Sequence, residues 1–259
     1  MSDLAAELDF ALSLADAADA ITLPHFEART FTVDMKANHT EVTEVDKGTE
    51  TALMDIIRAQ RGHHAWYGEE HGSGGSELAE YTWVIDPIDG TSNYVRGVPV
   101  WATLIALVHR EIGPVLGVVS APALHTRWWG LLDGGAYCNG HPIQVSSVDD
   151  LQDTHLSMVD NSAWHTTGHT KALEKLSRTV KRERGFGDFW AHMLVAQGSV
   201  DIAVDAIGLE PYDIAAIIPI VQAAGGVHSD RFGKVDWRSN SAVSTNGLLH
   251  HTVINMLNS

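Results

Sequence analysis

The chain has one cysteine, Cys138, and no long run of apolar residues. A single cysteine excludes an internal disulfide and gives little support to a thiolate metal site. A helix needs about 20 consecutive apolar residues to cross a bilayer, so we expect no membrane span. The N-terminal residues, Asp3 among them, lack the basic start of a signal peptide. These absences predict a cytoplasmic protein.

Basic residues are also scarce, with 17 Lys and Arg against 33 Asp and Glu and a formal net charge of -16. Nucleic acids and anionic membranes need a basic footprint, so neither is an expected partner. An anionic substrate must then be bound locally, by a metal ion or by helix termini. With 259 residues, 44% of them hydrophobic, the chain can bury a large core as one domain or as two closely packed ones.

The first half combines two helical patterns with a series of strands. Apolar residues recur at helical spacing from Leu4 to Ala18, which predicts a helix that begins after the cap Ser2 and ends at Pro24. A second helix is predicted around Leu53. Strands are predicted over Ala65–Tyr67, Tyr81–Asp86, Ala102–His109, Gly113–Ser120 and Arg127–Leu132. The strand series predicts an antiparallel sheet, and Gly72–Gly75 a surface loop.

From Thr154 onward, strand and helix patterns alternate. The predicted strands are Thr154–Val159, one ending near Gly187, Val200–Val204 and Ser241–Thr245. The predicted helices are Lys171–Thr179, Phe189–Gln197, Tyr212–Ala224 and a final one to Leu257. The change of pattern predicts a boundary near residue 150, between subdomains 1–150 and 151–259.

The segment Trp83–Thr91 is the most informative motif, because an apolar strand ends there in two carboxylates, Asp86 and Asp89, followed by Gly90. Carboxylates crowded at the end of a strand repel each other unless a hard cation lies between them. Mg²⁺ is typically held by one or two protein carboxylates together with phosphate oxygens of the substrate. The motif therefore predicts a metal and phosphate site.

Two other places offer carboxylates at turns or element ends. Glu69 and Glu70 follow a glycine and a short strand, and Asp213 begins an apolar helix. Taken alone, the glutamates are explained as surface charge. Asp213 alone is explained as an acid at a helix N-terminus, which contributes about 0.3–1 kcal/mol.

The motifs together resemble the inositol monophosphatase superfamily of Mg²⁺-dependent phosphomonoesterases. The resemblance rests on Lys36 to Asp46, Gly68-Glu69-Glu70, Asp86 to Tyr94, Gly97-Val98-Pro99, Tyr212 to Ala216 and Ala224-Gly225-Gly226. It implies an α+β fold of the inositol monophosphatase-like (sugar phosphatase) type, an αβαβα layered sandwich with two packed subdomains. It also implies a homodimer.

By the same resemblance, two or three Mg²⁺ ions are expected. The implied ligands are Glu69, Asp86 and the carbonyl of Ile88 for the first ion, Asp86, Asp89 and Asp213 for the second, and Glu44 with Glu69 for a third. Thr91 and Asp46 are implied to activate the attacking water, with Glu69 beside them. Gly90 and Thr91 are implied to bind the phosphate with backbone N–H groups.

The substrate is predicted from the second half. The segment Arg184–Trp190 contains a Gly-Asp-Phe sequence that resembles the histidinol-phosphate phosphatases of this superfamily. Asp188 and Glu210 are suited to an ammonium and an imidazole, and Asp213 is implied to contact the substrate as well. Arg184 either contacts the ester or holds Asp188 in place. The structural alternative for Asp188 is a helix cap.

Other functions and another metal are compatible with parts of this pattern. An inositol monophosphatase or a broader sugar-phosphate phosphatase would share the metal ligands. A non-catalytic regulator would have no need of the Thr91 and Asp46 pair. Zinc is disfavoured because His165 and His169, although at helical spacing, lack a neighbouring Cys or Glu motif, and His192 is predicted to be a buried, hydrogen-bonded histidine.

Overall fold

The structure is a computed structural model that describes residues 4–36 and 40–259, so the predicted cap Ser2 lies outside the described residues. The first half contains α1 (Leu4–Ala28), β1 (Val33–Met35), β2 (Glu41–Thr43), α2 (Glu44–Gln60), β3 (Ala65–Gly68), β4 (Gly72–Gly74), β5 (Tyr81–Asp89), α3 (Thr91–Arg96), β6 (Ala102–His109), β7 (Gly113–Ala121), β8 (Thr126–Leu131), β9 (Gly135–Cys138) and β10 (His141–Ile143). The second half contains β11 (His155–Met158), α4 (Ser162–Thr166), α5 (Thr170–Thr179), β12 (Arg182–Arg184), α6 (Asp188–Ala196), β13 (Ile202–Val204), α7 (Pro211–Ile214), α8 (Ile217–Ala223), β14 (Val227–Ser229), β15 (Val243–Thr245) and α9 (His250–Leu257).

An eight-stranded sheet forms the centre of the first half, in the order β10-β9-β8-β7-β6-β5-β3-β4. Neighbours from β5 to β10 pair antiparallel, as predicted, whereas β3 runs parallel to β5. The bounds of β6 agree with the prediction. Strand β5 alternates between faces, because Trp83 and Ile85 pack on one side and Val84 on the other. This period of two is what the sequence pattern required.

The two faces of that sheet are covered by helices from different halves of the chain. Helices α1 and α2 pack on one face, around Leu14, Leu53 and Trp83. Helices α6 and α8 pack on the other face, with Phe189 and Ile220 at the centre. Because α6 and α8 come from the second half, the two halves share one apolar core.

A five-stranded sheet in the order β12-β11-β13-β15-β14 lies beyond α6 and α8. Ala191 and Val195 of α6 pack against Ala203 of β13. The opposite face is covered by α5 and α9, through Leu176 and Val253 among others. The layers are therefore helix, sheet, helix, sheet, helix, which confirms the predicted αβαβα fold. The boundary near residue 150 falls between β10 and β11 and stays a prediction.

The predicted end of the first helix was wrong, because α1 continues through Pro24 to Ala28. Tertiary contacts hold the extra turn. Phe26 packs against Tyr94 at 5.3 Å between ring centroids, and the Tyr94 hydroxyl donates to the carbonyl of Thr22 at 2.7 Å. No helix among the described residues is both long and apolar enough to cross a bilayer.

The predicted loop at Gly72–Gly75 was also wrong for its first part, which forms the edge strand β4. Gly74 pairs with Trp66, and a Cβ on Gly74 would lie 2.3 Å from the Trp66 indole. Glycine is required here to admit a neighbouring ring, not to form a turn.

The predicted helix Tyr212–Ala224 is divided into α7 and α8. Pro219 lies inside α8 and has no N–H to donate to the carbonyl of Ala215. At the junction the carbonyl of Ala216 faces Gly117 of β7, where a Cβ would lie only 2.1 Å away from that oxygen. The division seats the backbone of the junction directly on the eight-stranded sheet.

Candidate active site

Three carboxylates meet where β5 ends and α7 begins. Oxygen atoms of Asp86, Asp89 and Asp213 all lie within 4.8 Å of one another. The pairing register of β5 shifts between Asp86 and Asp89, so the strand bulges and both carboxylates point to the same region. Within the bulge, the N–H of Ile88 donates to Asp86 Oδ1 at 3.0 Å. The predicted motif thus forms a group of oxygen donors.

A cavity of about 860 Å³ opens over this group. Its lining contains most of the predicted site residues, together with Lys36 and the aromatic wall Tyr212. The predicted residues in the lining are Glu69, Asp86, Ile88, Asp89, Gly90, Thr91, Glu210 and Asp213. Residues from both halves of the chain therefore border one cavity.

Burial and crowding favour the protonated form of these carboxylates. Burial, followed by repulsion from neighbouring acids, raises the pKa values of Asp86 and Asp89 well above their usual range. Burial and the charge of Glu69 are among the causes that raise the pKa of Asp213 to about 7. An all-oxygen donor set of this kind fits a hard divalent cation such as Mg²⁺. A bound cation would relieve the repulsion.

Histidines do not form an alternative metal group within the described ranges, where Asp86, Asp89 and Asp213 are the set with suitable spacing. His165 Nδ1 lies 2.8 Å from Thr170 Oγ1, and His169 packs against Trp164. The described structure therefore gives the zinc alternative no support.

Glu69 lies beside Asp86 and is bound by a lysine. Lys36 Nζ donates to Glu69 Oε1 at 2.7 Å and to Glu70 Oε1 at 2.6 Å. Burial raises the pKa of Glu69, and the contact with Lys36 opposes that rise. The ammonium therefore offsets part of the negative charge of the turn after β3.

Thr91 and Asp46 form the predicted hydrogen-bonded pair. The Thr91 hydroxyl has two acceptors within donating distance, the carbonyl oxygen of Ile88 at 3.0 Å and Asp46 Oδ1 at 3.3 Å. The other carboxylate oxygen of Asp46 accepts from the backbone N–H of Thr43 at 2.9 Å, within the capping box of α2. Burial raises the pKa of Asp46. The start of α2 thus fixes Asp46 against Thr91.

Gly90 precedes α3 in the left-handed region, with φ of 82°. This conformation is costly for residues with a Cβ, and a Cβ here would lie 3.0 Å from the carbonyl of Val100. Glycine therefore lets the backbone turn sharply between the bulge and α3 at the cavity wall.

Glu44 is not brought to the other predicted ligands. Its carboxylate is exposed and accepts hydrogen bonds from the N–H and the hydroxyl of Thr32. Those contacts lower its pKa. Glu44 does not line the cavity among the described residues, and its place with Glu69 at a third metal ion stays a prediction.

Asp188 lies next to the carboxylate group without lining the cavity among the described residues. The following N–H, of Phe189, donates to Asp89 Oδ2 at 2.8 Å, and Asn93 Nδ2 donates to Asp188 Oδ2 at 3.2 Å. The N-cap of α6 is Gly187, and Asp188 is the first residue of the helix, so the helix-cap alternative is wrong. Burial, with the nearby charge of Asp205, raises its pKa to about 6.

Arg184 is not part of this arrangement. It lies exposed on the edge strand β12, and its Nη1 donates to the carbonyl of Glu183 at 2.6 Å. Neither predicted role of Arg184, contact with the ester or support of Asp188, is seen in the chain. Glu210 does line the cavity, and its N–H donates to Asp213 Oδ2 at 2.7 Å.

Asp205, a buried carboxylate that follows β13, was not among the predicted site residues. Its charge contributes to the raised pKa values of Asp89, Asp188 and Asp213, which places it near all three. Asp205 Oδ2 lies 3.2 Å from Nε2 of His192, a buried and hydrogen-bonded histidine as predicted. An acid at the end of an apolar strand was the available signal, but unlike Asp86 it has no second carboxylate three residues later.

The chain is similar to known proteins over nearly its whole length. The model of the inositol monophosphatase family matches residues 3–258. The chain is 42% identical over 266 residues to a histidinol-phosphatase of Streptomyces coelicolor, covering 100% of this chain and 99% of that protein. It is 41% identical over 257 residues to a histidinol-phosphatase of Mycobacterium tuberculosis, covering 97% and 98%. Among solved structures, the Thermotoga maritima IMPase is 31% identical with a TM-score of 0.85, covering 97% of this chain and 96% of that one.

Proposed function

Because the chain belongs to the inositol monophosphatase family, we propose that it is a Mg²⁺-dependent phosphomonoesterase that hydrolyses histidinol phosphate to histidinol and phosphate. The observation that carries the reaction type is the group of three carboxylates beside the Thr91 and Asp46 pair. Full-length identity of 41–42% to two histidinol-phosphatases supports the substrate.

The residues proposed to hold Mg²⁺ are Glu69, Asp86 and the Ile88 carbonyl for one ion, and Asp86, Asp89 and Asp213 for a second. When bound, Mg²⁺ would stabilise the charge of the phosphate and lower the pKa of the attacking water. At a third ion, Glu44 would have to exchange its hydrogen bonds with Thr32 for the metal. We therefore propose two ions.

Thr91 and Asp46 are proposed to accept the proton of the attacking water. Because the Thr91 hydroxyl donates to Asp46, its oxygen has lone pairs left to accept a hydrogen bond from water. The water oxygen then attacks phosphorus, its proton passes toward Thr91 and Asp46, and the phosphorus–oxygen bond to histidinol breaks. Solvent supplies a proton to the leaving oxygen and later takes up the proton from Asp46, so the products are histidinol and inorganic phosphate. General base catalysis of this kind contributes about 10²–10⁴-fold.

We propose that the substrate is selected by further acids that lie near the three metal-binding carboxylates. Histidinol phosphate carries an ammonium and an imidazole, and charge-assisted hydrogen bonds to carboxylates are about twice as strong as neutral ones. Asp188, Asp205 and Glu210 supply such carboxylates from α6, from the end of β13 and from the residue before α7. An inositol ring offers no cation to these acids.

The test is a phosphate-release assay on histidinol phosphate with Mg²⁺, after chelation, and in an Asp46→Asn variant. We expect activity with Mg²⁺, loss on chelation and restoration on Mg²⁺ addition. The variant is expected to lose at least about 10²-fold in kcat. Absence of phosphate release with Mg²⁺ on every phosphate ester tried would favour a non-catalytic regulator. Faster release from inositol phosphate would favour the inositol monophosphatase alternative.

We also propose a homodimer, a cytoplasmic location and a subdomain boundary near residue 150. The dimer is supported by family membership and is tested by light scattering across a concentration series. A monomer at all concentrations would contradict it.

A further inference from the structure

A buried carboxylate lies behind the turn that carries Glu69. Glu50, in the middle of α2, has no exposed surface. Its Oε2 accepts the N–H of Glu70 at 2.8 Å, and its Oε1 accepts the N–H of His71 at 2.8 Å. His71 Nδ1 lies 3.0 Å from the same Oε1. A single side chain thus binds two consecutive backbone N–H groups directly after Glu69.

Gly68, at the other end of the turn, is fitted to the same carboxylate. A Cβ on Gly68 would lie 2.3 Å from Glu50 Oε1 and 2.7 Å from Met54 Cε. Heavy atoms do not approach that closely, so any larger residue at this position must displace Glu50. The glycine and the glutamate together determine where the turn lies.

Helix α2 connects this turn to the other part of the site. Asp46 and Glu50 are four residues apart, so they lie on one face of the helix. Asp46 accepts from Thr91 at one end of that face, and Glu50 binds the turn after β3 one helical turn later. The helix sets the position of the proton-accepting pair and of the Glu69 turn at once.

We propose that Glu50 is a positioning residue that directs the Glu69 carboxylate toward Asp86 for metal binding. This inference rests on the metal-binding role proposed above for Glu69. Partners that orient a metal ligand typically change metal affinity or activity by 10–100-fold when they are replaced. Glu50 acts on Glu69 through the backbone of Glu70 and His71, whose N–H groups have Glu50 oxygens as acceptors.

The experiment measures Mg²⁺ binding by calorimetry, without substrate, in the full chain and in a Glu50→Gln variant. Glutamine keeps the size of the side chain, but its amide nitrogen cannot accept a hydrogen bond. We expect Mg²⁺ binding to weaken by about tenfold or more. The control is Asp55→Asn on the same helix, whose exposed carboxylate pairs with Arg58 and whose loss is expected to change Mg²⁺ affinity by less than about twofold.

Two further variants separate positioning from general stability. Gly68→Ala displaces the same carboxylate from the opposite side, so it is expected to weaken Mg²⁺ binding even if Glu50→Gln folds poorly. In a Glu69→Gln background, Glu50→Gln should weaken Mg²⁺ binding by less than a further factor of about two, because the effects of residues that act as one unit are not additive.

The outcomes are distinguishable. Wild-type Mg²⁺ affinity in both Glu50→Gln and Gly68→Ala would overturn the positioning role, as would a lowered unfolding temperature in EDTA with an unchanged Mg²⁺ constant. The positioning role would also be overturned if Glu50→Gln weakened Mg²⁺ binding by the same factor in the Glu69→Gln background as in the wild type. If the wild-type chain binds no Mg²⁺, the proposed function fails and this inference fails with it.

Discussion

Replacing Asp213 by asparagine is expected to stabilise the metal-free protein above neutral pH. The Asp213 carboxyl is crowded and largely buried, and burial is the largest cause that raises its pKa from 3.8 to about 7. Its oxygen lies within 4.8 Å of oxygens of Asp86 and Asp89. Asparagine keeps a carbonyl oxygen for the N–H of Glu210, which now donates to Asp213 at 2.7 Å, but it carries no charge.

The sign and size follow from proton linkage. Because the pKa of Asp213 is higher in the folded state, the folded protein holds this proton more tightly than the unfolded chain. The free energy of unfolding therefore falls as pH rises from about 4 to about 7 and stays low above that. At about 1.4 kcal/mol per pKa unit, the rise in the pKa of Asp213 from 3.8 to about 7 corresponds to a loss of about 4 kcal/mol in the free energy of unfolding. Asp213 retains some solvent contact, and solvent screens charges. We therefore expect Asp213→Asn to raise the free energy of unfolding by about 2–4 kcal/mol at pH 8.

The assay is urea unfolding in EDTA at pH 5 and pH 8, repeated with Mg²⁺. The free energy of unfolding of the variant should be higher than that of the wild type at pH 8, and the difference should be smaller at pH 5. Adding Mg²⁺ should raise the free energy of unfolding of the variant by less than that of the wild type. The control is Asp236→Asn, because a hydrogen bond from Lys234 lowers the pKa of that carboxyl, and its loss should not stabilise the protein at pH 8. The reasoning is refuted if Asp213→Asn is less stable than the wild type in EDTA at pH 8, or if the difference is the same at both pH values.

Three further predictions concern the reaction, the substrate and the fold. Thr91→Val removes the donor to Asp46 and is expected to lower kcat by about 10²-fold or more in steady-state assays, with Mg²⁺ affinity within about twofold of wild type; unchanged kcat would contradict the proton-accepting role. Asp188→Asn is expected to raise KM for histidinol phosphate by about tenfold and to leave KM for glycerol phosphate unchanged, whereas equal changes on both substrates would exclude a role in substrate selection. Tyr94→Phe leaves the buried carbonyl of Thr22 without its 2.7 Å donor and is expected to lower the unfolding free energy by about 1–3 kcal/mol, so a loss below about 0.5 kcal/mol in urea unfolding would indicate that another donor replaces it.

Most strands and helices were predictable because local apolar periodicity specifies them, whereas the αβαβα layering was predicted from the family resemblance. Strand β6 has the predicted bounds, and the alternation of Trp83, Val84 and Ile85 between the two faces of β5 follows from the pleat. The errors arose where tertiary contacts decide the local structure. Pro24 does not end α1, since aromatic packing of Phe26 holds the following turn.

The site was predictable as far as its residues lie in compact motifs. The Asp86–Thr91 segment places two carboxylates, a bulge and a glycine turn within six residues, so their proximity is local. Asp205 and Glu50 were missed because each lies alone in an ordinary strand end or helix, and only the fold brings them to the site. Glu44 lies close to Asp46 in the sequence, but this does not determine where its side chain points. Its carboxylate accepts a hydrogen bond from Thr32.

The most direct test of the proposed function is the ratio of kcat/KM for histidinol phosphate to that for inositol 1-phosphate, measured by phosphate release with saturating Mg²⁺. The acids Asp188, Asp205 and Glu210 favour a cationic leaving group, so we predict a ratio of at least about 10², or about 2.7 kcal/mol of transition-state discrimination. A ratio of one or below would contradict the proposal that histidinol phosphate is the substrate, but it would not contradict the proposal of a metal-dependent phosphatase.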